Sequence, residues 1–92
     1  MTKVDDVLNE RGKTHGDFNW QAEVAQQLKG VIHLANFNRQ KLKLPMLSFT
    51  AMEALEADAT KTSRILAGDP DLKEHWLDKA GYATLQANRC SK

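Results

Sequence analysis

The stretch KTSRILAGDPDLKEHWLDKAGYATLQA (Lys61–Ala87) decides how this chain folds. Lys61 and Arg64 stand one turn apart at the close of one helical pattern, and Gly68, Asp69 and Pro70 follow as a turn. Gly68 ends the first helix. Asp69 is placed to cap a second, with Pro70 at its first position, where a missing N–H does no harm. So short a connection predicts an antiparallel hairpin. The later helix, reaching about Ala87 or Arg89, carries Leu72, Trp76, Ala80, Ala83 and Ala87 as a narrow seam, one large ring above small residues that let helix backbones approach closely.

Upstream, Met52, Leu55, Ala59, Thr62 and Leu66 alternate three- and four-residue steps and predict a helix over Phe49–Ala67. Ser48 is its N-cap, with Leu47 and Met52 in staple positions. Before it, Asn36 to Leu47 reads as a connection, discouraged from regular structure by Asn36, Asn38 and Pro45 and made basic by Arg39, Lys41 and Lys43. A further helix is expected from Phe18 to Ala35 or Asn36: Trp20, Val24, Leu28 and Ile32 recur every four residues, widened by Ala25, Val31 and Ala35, with Asp17 or Asn19 as cap. A first helix is expected from Lys3 to Arg11, opened by Thr2 and Asp5 in capping-box spacing and stopped by Gly12. The expectation is an all-α single domain, 1–92, of four helices. Its seams are too extensive for one small core, which predicts a homodimer or higher oligomer.

Composition bounds the partners. The 92 residues are 41% hydrophobic and 27% charged with net charge +1, an ordinary globular balance. Nucleic acid is disfavoured, because phosphate backbones need a clustered positive field and the Arg39–Lys43 segment belongs to no helix-turn-helix pattern. No apolar run approaches the ~20 residues of a membrane span. Lone Cys90 and the absence of a signal-like start suit a reducing cytoplasm.

The chemistry sits on the last two helices. Glu53 and Glu56 lie three apart on one helix face, which also carries Thr60 and Arg64. Asp58 has Lys61 three residues on as a partner. Glu74 and Asp78 share a face of the final helix, with His75 beside them and Tyr82 one turn on. Carboxylates gathered by a hairpin repel unless a cation holds them, and Mg²⁺ suits oxygen ligands near phosphates. On the residues alone the default reading is solvated faces: acids in early helical turns complement the helix dipole, and so do Lys61 and Arg64 in a last turn. Trp20 and Trp76 read as core anchors. His15 and His33 carry no signal.

Three segments, ERGKTHGDF (Glu10–Phe18), the run from Glu53 to Pro70, and HWLDKAGYATL (His75–Leu85), resemble a family of short phage and prophage proteins. That family looks distantly like the all-α nucleotide pyrophosphatases of the MazG type. The resemblance implies a Mg²⁺-dependent hydrolysis of nucleoside triphosphates between the α and β phosphates by an oligomer. Glu53, Glu56 and Asp78 match the catalytic, metal-holding acids, and Lys61, Arg64 and Tyr82 fall where a triphosphate is gripped. The chain departs from the pattern at His75, where another acid belongs. That departure motivates the alternative, a non-catalytic helical oligomerisation or interaction module.

Overall fold

A computed structural model describes residues 2–92. Four helices, and no strand among the described residues, make up the chain: α1 Lys3–His15, α2 Phe18–Lys41, α3 Phe49–Ala67 and α4 Lys73–Ala87. α3 is central. It packs heavily against α4 and α2 and more lightly against α1, while α2 and α4 do not pack on each other.

Local chemistry explains the helix starts. Thr2 and Asp5 form the full capping box. Asp17 Oδ2 accepts the Trp20 N–H at 3.0 Å, and Ser48 Oγ accepts the Ala51 N–H at 3.1 Å. Each satisfies an orphan amide of a helix's first turn.

The helix ends differ from expectation. α1 passes through Gly12 and stops at Gly16, whose φ of 81° is the conformation that glycine tolerates. Gly12 costs helix stability without breaking the helix, whereas Gly16 lies where α1 meets the end of α3. α2 continues past Asn36 and Asn38 to Lys41. Asn36 is absorbed because its Oδ1 accepts the Leu47 N–H at 2.9 Å. The real connection is therefore short. It is closed by a Schellman-type stop, with Lys43 N–H to Gln40 O at 3.0 Å and Leu44 N–H to Arg39 O at 2.9 Å. Lys43 holds the left-handed position at φ 58° that glycine usually fills. Asp69 does not cap α4: its Oδ1 accepts the Asp71 N–H at 2.9 Å, Pro70 lies in that turn, and α4 begins at Lys73 after an N-cap Leu72 with no side-chain bond.

The expected seams are rearranged as well. On α4, His75 is buried and Asp78, Lys79 and Gln86 are half-buried, while Trp76, Ala80, Ala83 and Ala87 are exposed. The closest contacts of α4 with α3 are thus polar, and its apolar seam stays exposed at the rim, where Ala83 and Ala87 line an open groove with Ala51, Ala54 and Leu55 of α3. On α3, Ala59 is buried, but Leu55 and Leu66 are exposed. On α2, Val24, Ala25, Leu28 and Ile32 turn inward, while Trp20 and Val31 turn outward. Neither tryptophan is a core anchor of the single chain, each being 52% exposed.

Among the described residues, the buried apolar side chains are only Ala25 and Ala59. The chain measures 54 × 26 × 23 Å with a radius of gyration of 15.7 Å, against about 12 Å for a compact chain of this length. Its accessible surface is 6983 Å², where a compact monomer of this mass exposes about 5,400 Å².

Two glycines mark the tightest point. A Cβ on Gly68 would lie 2.3 Å from the Thr14 carbonyl oxygen, and one on Gly16 would lie 2.0 Å from that of Ala67. Gly12, by contrast, has nothing within 4 Å. Gly68→Ala is expected to destabilise the fold by about 2–3 kcal/mol, because backbone must move, whereas Gly12→Ala stabilises it by up to about 1 kcal/mol. Chemical unfolding of the two variants checks the opposite signs. Lys43→Gly is expected to raise stability by roughly 1 kcal/mol through relief of the left-handed conformation, read in the same assay.

Candidate functional site

The ionisable groups around α3 are arranged by its two flanks. On the α4 flank, Lys61 Nζ lies 3.2 Å from Asp78 Oδ2, and Lys79 Nζ lies 3.0 Å from Asp58 Oδ1. Lys79 also donates to the Thr62 hydroxyl and sits over the Trp76 ring. Asp58 therefore pairs across the helix interface with Lys79, not with Lys61 in its own helix. Both cationic side chains are more than three-quarters buried, so these pairs are better shielded from solvent than surface pairs and fix how α4 lies on α3.

On the α2 flank, His33 Nε2 donates to Glu56 Oε1 at 2.8 Å. Glu53 is exposed and lines a shallow groove of about 150 Å³ with Tyr82, Leu85 and Arg89. The three acids matched by the resemblance are thus split: Glu56 is bonded to α2, Asp78 to Lys61, and Glu53 is open. Among the described residues no three His, Cys, Asp or Glu side chains come together as a metal-holding group. Among the described residues, one chain does not bring the expected Mg²⁺ set of Glu53, Glu56 and Asp78 together.

The third expected binding residue, Arg64, belongs to another place. It sits at the corner where α1, the Gly16 turn and the end of α3 meet, beside Arg11 and His15. His75 lies behind this corner and is 2% exposed. Its Nε2 donates to the Thr14 carbonyl at 2.8 Å, the same oxygen that accepts the Asp69 N–H at 2.9 Å. A carbonyl only accepts, so Nε2 carries the proton. His75 is a buried group and not a surface partner of Asp78. It locks α4 to the end of α1. The His15 ring meets it edge-on, centroids 4.9 Å apart and planes at 82°.

Sequence reasoning passed over His15 and His33. His33 is 23 residues from Glu56, and no local spacing announces such a pair. Ending the first helix at Gly12 left His15 outside it, whereas it is the last residue of α1.

Compared with known protein families, with curated proteins and with solved structures, the chain matches none. No helix among the described residues is long and apolar enough to cross a membrane.

His15 has a pH signature. Burial first, then the positive groups Arg64, His75, Arg11 and Lys61, hold its imidazole below the ordinary value of 6.5. Above 6.5 it is neutral folded and unfolded alike, and its full contribution to stability is present. As pH falls through that value, the unfolded chain takes up the proton first and stability is lost. The unfolding midpoint is expected to fall between about pH 7 and pH 5, and less steeply in His15→Gln. An unchanged slope in the variant would remove His15 from the account.

Proposed function

We propose that this chain is one protomer of a helical homo-oligomer, a phage-type cytoplasmic protein of nucleotide-pyrophosphatase build. The single observation that carries the oligomer is its surface. The chain exposes about 1,600 Å² more than a compact monomer of its mass, and obligate interfaces bury roughly 1,000–2,500 Å² on each partner. A second copy is the occupant that matches this excess. Along α2, Trp20, Gln27, Val31 and Leu34 follow seven-, four- and three-residue steps, a spacing compatible with a coiled-coil seam, and Trp20, Val31 and Leu34 are exposed. Gly30, in the same helix, has nothing within 4 Å, which leaves room for a close helix from another chain.

The antiparallel α3–α4 hairpin is part of the same reading. It is supported by the pairing of Asp58 with Lys79 and Lys61 with Asp78, and by Thr50 and Glu53 sharing a groove with Leu85 and Arg89. The nucleotide activity rests on the resemblance, together with the helix line Glu53, Glu56, Thr60 and Arg64 and the open carboxylate of Glu53. The second reading, a non-catalytic interaction module, is favoured by the engagement of Glu56 with His33 and of Asp78 with Lys61, and by the structural role of His75.

Light scattering after size exclusion is expected to give at least twice the chain mass of 10.3 kDa, with a melting temperature that rises with protein concentration. Leu34→Glu is expected to dissociate the assembly. Pyrophosphate release from a nucleoside triphosphate panel, dependent on Mg²⁺ and abolished by Glu56→Gln, supports the enzyme. An oligomer without turnover supports the module. A stable, concentration-independent monomer would sink both.

A further inference from the structure

We propose that the corner pocket between α1, the Gly16 turn and the end of α3 binds the phosphate group of a small phosphomonoester. The pocket encloses about 450 Å³. Arg11, His15 and Arg64 form its basic side, and Leu8 and Phe18 its apolar side. Neither Arg11 nor Arg64 has an ion-pair partner among the described residues. The Arg64 Nε is buried with no hydrogen-bond partner. A guanidinium N–H withdrawn from water without an acceptor is costly, and native structures rarely leave one so. What the corner lacks is an acceptor. A planar guanidinium matches the oxygens of phosphate, and a second arginine beside it supplies the remaining charge.

The field points the same way. His15 is held towards its neutral form first by burial and then by the surrounding cations, and a bound dianion would relieve the repulsive part. Asp17 is the acid in the lining. Its carboxylate accepts the Trp20 N–H at 3.0 Å, so it is engaged at the positive end of α2. Phe18 is 74% exposed and Leu8 60% exposed. They offer an apolar wall next to the cations, which fits an ester with an apolar or planar body better than a bare ion. Arg64 is shared with the nucleotide reading, but Glu53, Glu56 and Asp78 do not line the pocket, so binding here needs none of the acids on which the pyrophosphatase reading depends.

The test is a titration of the ¹⁵N-labelled full chain with inorganic phosphate and then phenyl phosphate, in metal-free buffer held at constant ionic strength with sodium chloride. Saturable shifts are expected at the amides of Gly12, His15 and Gly16 and at the Arg64 Nε–H. Phenyl phosphate is expected to bind at least about 3-fold more tightly than inorganic phosphate. Arg64→Gln is expected to weaken binding by about 10-fold or more, and Arg11→Gln, at an exposed position, by about 3-fold or more. Absence of saturation across the millimolar range, shifts reproduced by chloride alone, equal affinity for the two phosphates, or full affinity in Arg11→Gln overturns the proposal. No turnover is read, so this outcome is separate from that of the nucleotide assay.

Discussion

The Thr14 carbonyl is the point on which the other contacts depend. It accepts two hydrogen bonds, from the Asp69 amide and from the His75 ring, and so ties the end of α1 to the α3–α4 turn and to α4. This is possible only because Gly16 and Gly68 let two backbone segments meet with no side chain between them. His75, buried and polar, is tolerated there because its ring N–H is satisfied. With that corner fixed, Arg11, His15 and Arg64 are brought to one pocket, and α4 is set down on α3 with a defined face inward.

That inward face is polar. Asp78, Lys79 and Gln86 meet α3, and two ion pairs set the contact, while Trp76 and the alanines of α4 stay exposed, Ala83 and Ala87 at the rim of a groove with Ala51, Ala54 and Leu55. A helix normally buries its apolar stripe. The inversion becomes reasonable when the single chain is not the folded unit. The long α2, the exposed side of α4 and the exposed stripe of α1 are the surfaces that the proposed oligomer would cover. The elongated shape and the small buried apolar core are what that proposal was drawn from.

The charges around α3 serve its packing before anything else. Each flank takes one of the resemblance-matched acids: Glu56 goes to His33 on α2 and Asp78 to Lys61 on α3 itself. Among the described residues Glu53 and Arg64 have no ion partner, but they lie at different places along α3, one beside Tyr82 and Arg89 and the other beside Arg11 and His15. The split is geometric. Residues three apart on a helix diverge by about 60° around its axis, enough to send Glu53 and Glu56 to different flanks.

The sequence by itself determined the helical class, the four elements and three of their starts, because capping residues and apolar periodicity act within a few positions of themselves. Thr2 and Ser48 cap as their spacing announces, and of the two caps offered for α2 it is Asp17 that serves. Local rules misplaced the ends at Gly12, Asn36 and Asp69, since each was overridden by something distant or by backbone shape: the Gly16–Gly68 crossing, the Leu47 amide, the turn built by Asp69 itself. Only the tertiary structure decided which stripe of each helix faces inward, that His75 is a buried clamp, and that His15, Arg11 and Arg64 converge. Those outcomes join residues tens of positions apart, and periodicity carries no information about which of two possible faces a neighbouring helix will take.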